Sequence, residues 1–136
     1  MYVGEALEVG LIETLLRNPR LRLVARAEVD VRRWSVIRPE RDLRLVDFAG
    51  VGLSIVGTDG GVNTGPYLVS RAWAAALFHH ADMPDGILYP SRHDPSLKCL
   101  AIFGHPDITF KVDPPETFER NWLTATLKRY GKALSP

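Results

Sequence analysis

The chain opens with a short apolar pair, Tyr2-Val3, then a glycine, then a stretch of helical period. Leu7, Leu11, Ile12, Leu15 and Leu16 recur at spacings that predict an amphipathic helix from about Ala6 to Arg17, stopped by Asn18-Pro19. At about 100° per residue Glu8 falls inside the apolar arc and Glu13 lies nearly opposite it. Periodicity therefore nominates Glu8 as the odd buried acid, or leaves both carboxylates solvated. Between Arg17 and Arg44 apolar residues (Leu21, Leu23, Val24, Val29, Val31, Trp34, Val36, Ile37) interleave with arginines, which predicts extended segments with an arginine-lined outer face. Leu43 to Phe48 predicts another strand, with Leu43, Leu45 and either Val46 or Phe48 inward.

Gly57 to Gly65 is glycine-rich and predicts a flexible loop; no Gly-Lys-Ser/Thr follows, so it is not a P-loop. Thr64 or Gly65 can cap a second helix, Pro66 to His80, whose Ala72, Trp73, Ala75, Ala76 and Leu77 favour close packing on a sheet. A buried strand, Gly86 to Tyr89, runs into the sharp turn Pro90-Ser91-Arg92-His93, and a second apolar strand, Cys99 to Phe103, ends at Gly104. Such a turn places polar side chains at a sheet edge, where α/β proteins build sites, although a Pro-Ser turn by itself is ordinarily just a turn. Ile108 to Val112 alternates as an outer strand, and Pro114-Pro115 breaks the chain. A last helix, about Asn121 to Ala133, turns Trp122, Leu123, Leu127 and Tyr130 inward. The pattern predicts an α/β (α+β) fold, a mixed β-sheet with packed helices, in one domain over residues 1–136, without repeats or linkers.

Composition narrows the partners. The chain has 136 residues, 46% apolar and 24% charged, with net charge +1, which argues against a nucleic-acid or membrane binder. Nine arginines against four acids between Arg17 and Arg44 give a local excess of positive charge that suits either solvent or an acidic partner. The single cysteine, Cys99, excludes an internal disulfide and lies in an apolar strand, which favours packing over chemistry. The longest apolar run, Ala72 to Phe78, is too short to span a bilayer, and no secretory signal is visible, so the expected location is the cytoplasm. His79 and His80 are placed to meet a helix dipole, and with His93 and His105 they form no metal-ligand spacing.

Two groups of residues resemble a known family. Tyr2-Val3-Gly4 followed by Leu7 to Arg17 resembles the segment of RES-domain proteins in which a tyrosine precedes a helix bearing the family glutamate. Thr64-Gly65-Pro66-Tyr67 with the alanine-rich helix, then Asp85-Gly86-Ile87 and Ser91 to Pro95, resembles the segment holding the family serine. Both keep the expected order, and the similarity extends over nearly the whole chain. It implies a fold similar to that of ADP-ribosylating toxins. It also implies a toxin of a toxin–antitoxin pair that consumes NAD as substrate by phosphorolysis or hydrolysis of the nicotinamide–ribose bond. By position it makes Glu13 the family glutamate, in preference to Glu8, with Ser91 the family serine and Tyr2 the family tyrosine. The family's arginine lies upstream of that tyrosine, whereas Met1 directly precedes Tyr2 here, so the expectation is a RES-like domain short at its N-terminus.

The chemistry suits these residue types. Cleaving the bond develops positive charge on the ribose, which a carboxylate such as Glu13 stabilises as the anion. Tyr2 offers a flat face for nicotinamide or ribose, or else is a core aromatic at a strand end. Ser91 can hydrogen-bond the ribose or nicotinamide end. Arg92, with Arg17 second, is the local source of a guanidinium for the pyrophosphate; the plainer role of Arg92 is a surface ion pair with Asp94. Two alternatives stay open: transfer of ADP-ribose to a protein, and an inactive domain that only binds a partner. The resemblance also implies a helix-turn-helix antitoxin in a hetero-oligomer, with Arg17 to Arg44 as a possible contact, and no direct nucleic-acid or membrane binding.

Overall fold

The computed structural model describes residues 1–135; Pro136, the last residue of the expected single domain, lies outside them. The fold is mixed α and β. Its main sheet has four strands: β1 (Tyr2–Gly4), β4 (Leu45–Asp47), β5 (Gly86–Pro90) and β6 (Lys98–Ile102), in the order β1-β6-β5-β4. β6 lies antiparallel to both β1 and β5, while β4 and β5 run parallel. Two small pairs complete the strands. β2 (Leu23–Val24) runs parallel to β8 (Ala133–Leu134), and β3 (Ile37–Pro39) antiparallel to β7 (Phe110–Val112).

The first helix, α1 (Leu7–Leu15), forms where the periodicity requires it. It buries Leu11, Ile12 and Leu16 with Val24, Val29, Leu123 and Leu127, a cluster that joins it to α2 (Arg26–Asp30) and α6 (Arg120–Arg129). A second cluster, Phe48, Val62, Leu77 and Ile87, seats α4 (Gly61–Thr64) and α5 (Tyr67–Phe78) on the sheet, with α3 (Val51–Val56) at its margin through Leu53 and Val56. Gly4 lets β1 and α1 approach closely: a Cβ there would stand 2.5 Å from that of Val9.

Several expectations need correction. Arg17 to Arg44 is not wholly extended, because Arg26–Asp30 forms a helical turn that buries Val29. Its arginines are also largely engaged within the chain. Arg38 pairs with Asp113 at 2.5 Å, Arg41 with Asp85 and Asp107, and Arg44 donates to the carbonyls of Asp82 and Met83. The glycine-rich stretch contains α4, which buries Val62 and lets Asn63 Nδ2 donate to the Phe48 carbonyl at 2.8 Å. Neither Thr64 nor Gly65 caps α5; Pro66 holds that position, without a side-chain bond. The last helix ends at Arg129 rather than near Ala133, because Gly131 at φ 64° turns the chain and Ala133 joins a strand.

Candidate functional site

The turn after β5 is built around one hydroxyl. Ser91 Oγ accepts from the backbone N–H groups of His93 (3.2 Å) and Asp94 (3.3 Å), and the Ser91 N–H donates to the Leu97 carbonyl at 2.8 Å. Its remaining function, the hydroxyl proton, goes to Glu13 Oε1 at 2.5 Å. Ser91 is only 1% exposed, so its hydroxyl is spent on orienting the carboxylate. The Cys99 thiol reaches the same oxygen at 3.9 Å. Oε2 of Glu13 has no hydrogen-bond partner among the described residues and stays available to a ligand.

Glu13 stands at the wall of a groove. A depression of about 450 Å³ is lined by α1 residues Val9, Gly10, Glu13 and Thr14 on one side and by Tyr67 of α5. Strand residues Tyr2, Val3, Gly4, Tyr89 and Cys99 line it too. It shares Tyr2, Tyr67 and Tyr89 with a narrower cleft of about 200 Å³ that continues to Asn63, Ser70 and Arg71. In the other direction it shares Glu13 and Arg17 with an open depression of about 590 Å³ reaching Pro19, Arg92 and His93. The three form a continuous surface whose aromatic middle lies between arginines, a mixture of apolar wall and few polar groups common in small-molecule sites.

The strand register explains the aromatic middle. Tyr89 and Cys99 are directly opposed on β5 and β6, Ala101 is opposed to Tyr2, and alternation puts all four on one face. Tyr2 is exposed, 75%, and Tyr67 at the start of α5 is also exposed, 70%; both rings line the groove, with the Arg71 guanidinium over one face of Tyr67. Burial, then the nearby Cys99 and Glu13, pushes the Tyr89 phenol above its ordinary pKa, and burial followed by Glu13 pushes the Cys99 thiol up to about 11. Both are neutral at physiological pH, leaving Glu13 as the carboxylate of the groove against Arg17, Arg71 and Arg92.

All five residues named from the sequence line this surface or its wall: Tyr2, Glu13 and Arg17 directly, Arg92 at the open end, and Ser91 behind Glu13. Arg92 does not pair with Asp94, whose oxygens take Ser96 and the Tyr130 hydroxyl instead. Among the described residues Arg17 and Arg92 have no hydrogen-bond or ion-pair partner. Tyr67, Tyr89 and Arg71 were not picked out. Tyr67 to Arg71 is a one-turn step on a helix, and Arg71 stacks over the Tyr67 ring at 5.7 Å, so the exposed side of α5 carried a signal in its i, i+4 spacing.

Glu8, which periodicity singled out, has another role. It accepts from the Tyr130 hydroxyl at 2.6 Å and pairs with Arg129, and so joins α1 to α6. The histidines are dispersed. His105 stacks on Phe78, His79 meets the edge of the same ring, and His80 Nδ1 accepts from the Asp82 N–H. Among the described residues no group of three or more His, Cys, Asp or Glu side chains is gathered as metal ligands would be. No helix among them is long and apolar enough to cross a membrane.

No curated protein and no solved structure matches the chain. A model of the RES domain matches residues 1–122, which span α1, the tyrosine-lined groove and the Ser91 turn. The chain therefore belongs to the RES-domain family, which is associated with NAD-related enzymatic activity.

Proposed function

We propose that this chain binds NAD in the tyrosine-lined groove and cleaves its nicotinamide–ribose bond, as the toxin of a toxin–antitoxin pair. The observation that carries the proposal is the Ser91–Glu13 hydrogen bond at the groove wall, which holds one carboxylate oxygen and leaves the other without a partner among the described residues. In this reaction the C1′–N bond breaks with its electron pair going to the pyridinium nitrogen, so nicotinamide leaves neutral and needs no general acid. Positive charge then builds on the ribose, where a fixed carboxylate stabilises it without reorganising. Water or phosphate adds at C1′ and gives up a proton to Glu13 or solvent.

The surroundings support this assignment. Tyr2 and Tyr67 offer ring faces for a flat heterocycle. Arg17 and Arg92 flank Glu13 and Arg71 lines the cleft at the other end of the aromatic middle, positive charge suited to a pyrophosphate, so Arg71 joins the residues named from the sequence. Ser91 acts through Glu13, since its own proton and lone pairs are committed. A helix-turn-helix antitoxin is the proposed partner. The exposed apolar side chains of Val51, Ile55 and Leu68 suit such an association better than Arg38, Arg41 and Arg44, which the chain itself engages.

The test is to incubate the purified chain with NAD, with and without phosphate, and follow nicotinamide release. Release is expected from the wild type and is lost in Glu13→Gln. ADP-ribose 1-phosphate as the product assigns phosphorolysis, and free ADP-ribose assigns hydrolysis. Label transferred to protein, or unchanged release in Glu13→Gln, would overturn the proposal.

A further inference from the structure

The candidate catalytic helix and the Ser91 turn are fastened at a second point, on the side away from the groove. Glu8 and Glu13 are five residues apart on α1, about 140° around the helix axis, so they face different neighbours. Ser91 and Asp94 are three residues apart in the turn, and the Ser91 hydroxyl already accepts the Asp94 N–H. Ser91 bonds to Glu13 directly; Asp94 and Glu8 are instead joined through a third element. The Tyr130 hydroxyl lies 2.6 Å from Glu8 Oε1 and 2.7 Å from Asp94 Oδ2.

We infer that Tyr130 is a positioning residue, whose hydroxyl clasps α1 to the Ser91 turn and so holds the Ser91–Glu13 pair in register. Its one proton serves two acceptors. The proton alternates between Glu8 Oε1 and Asp94 Oδ2, and the Arg129 guanidinium, one residue before, also pairs with Glu8 Oε1, so α1 stays tied to the end of α6 while the hydroxyl is turned to Asp94. Asp94 is itself fixed, because its Oδ1 takes both the N–H (3.1 Å) and the hydroxyl (2.6 Å) of Ser96. Tyr130 is equally fixed by the end of α6. The Lys132 N–H donates to the Leu127 carbonyl at 2.9 Å and the Gly131 N–H to that of Lys128 at 3.0 Å, with Gly131 at φ 64°. This pair of bonds is the Schellman stop, which sets where the last helical side chain points. Tyr130 lies beyond residue 122, where the family match ends, so nothing in that match assigns it a role.

A clasp matters because a carboxylate displaced by about 1 Å from its productive position can lose about a hundredfold in rate. The inference rests on the proposed NAD cleavage for its kinetic readout and on amide exchange for an independent one. Tyr130→Phe keeps the ring that packs on the Leu11–Leu127 cluster and removes only the hydroxyl. The expected result is a fall in kcat for NAD of about tenfold or more with KM within about twofold, at a folded fraction matched to wild type by circular dichroism, since loss of folded protein would itself lower kcat at constant KM. Exchange of the His93 and Asp94 amides, which donate to Ser91 Oγ, should quicken about tenfold in the same variant, while amides of the β5–β6 ladder do not change. Asp94→Asn should give a similar pattern, and the double variant should be no worse than either single one. Unchanged amide exchange at His93 and Asp94 overturns the clasp whether or not the wild type consumes NAD. Quickened exchange with unchanged kcat in an active enzyme overturns the positioning role. If the wild type leaves NAD intact, the failure belongs to the proposed function, and exchange alone decides the clasp.

Discussion

The hydroxyl of Ser91 donates to the Glu13 carboxylate at 2.5 Å across 78 residues of sequence, joining the turn after β5 to the first helix. Both groups sit on separately formed elements, and the bond exists only if the sheet and α1 are correctly assembled. Ser91 has no capacity left for a ligand, so its effect on chemistry passes through Glu13. Replacing it by Ala should leave Glu13 free to turn away and strand the His93 and Asp94 amides, at about 1–3 kcal/mol. The expected kinetic outcome is a large fall in kcat for NAD, on the order of a hundredfold, with a smaller change in KM. Glu13→Gln should fall further. A Ser91→Ala enzyme as fast as wild type would mean the carboxylate needs no orienting bond.

The arginines of the groove should act on binding. Arg17 and Arg92 have no internal partner among the described residues, and Arg71 lies over a tyrosine face, so none is needed to hold the fold. Charge-assisted bonds to a pyrophosphate strengthen ground state and transition state alike, and their loss therefore raises KM. Arg71→Ala, at the cleft shared with Tyr2 and Tyr67, should weaken NAD binding about tenfold with little change in kcat, measured by calorimetry and steady-state kinetics. Equal affinity in all three single Ala variants would place the pyrophosphate elsewhere.

Cys99 should behave as an inert core thiol despite its contact with Glu13. It is 4% exposed, and burial together with the adjacent carboxylate raises it to about 11, so almost none is thiolate at neutral pH. Thiolate is the reactive form. Iodoacetamide at pH 8 should leave the native chain unmodified and label it fully in urea, as read by intact mass. Rapid native labelling would mean that the β6 strand opens.

Much of this arrangement was readable from the pattern of residues, for identifiable reasons. α1, α5, β5 and β6 carry long apolar signals, and their extents agree with expectation to within a few residues. Periodicity measured burial and so found Glu8, which does lie against α6 with its side chain 17% exposed. It had no means of finding Glu13, whose partner is distant in sequence; that residue came from the family resemblance. α2 has five residues and α4 four, too few for any period to show, and α4 begins at Gly61, one of the glycines that suggested a loop. The fate of the arginines was equally hidden. Arg38, Arg41 and Arg44 read as a free basic face because Asp113 for Arg38, Asp85 and Asp107 for Arg41, and the Asp82 and Met83 carbonyls for Arg44 are brought to them only by the tertiary fold.

One of those pairs gives the fold a pH dependence of known sign. Asp85 precedes β5, at the opposite end of the strand from Ser91, and is 3% exposed. Arg41 grips it with two bonds of 2.9 and 2.8 Å, and the Arg44 N–H adds a third at 2.7 Å. The Arg41 hydrogen bond, opposed by desolvation and helped by the Arg44 backbone, lowers the Asp85 pKa from 3.8 to about 2. A carboxyl depressed by folding contributes its stability fully above the unfolded value and loses it as pH falls through the folded one. Asp85 should therefore contribute about 2 kcal/mol near neutrality, decaying from about pH 4 down to pH 2. Asp85→Asn should be destabilised by a similar amount at pH 7, in urea unfolding followed by circular dichroism. Its deficit relative to wild type should shrink toward pH 2, because the wild-type carboxyl is then being protonated as well. A deficit that stays constant between pH 7 and pH 2 would mean that the shape of the side chain, not its charge, anchors the start of β5.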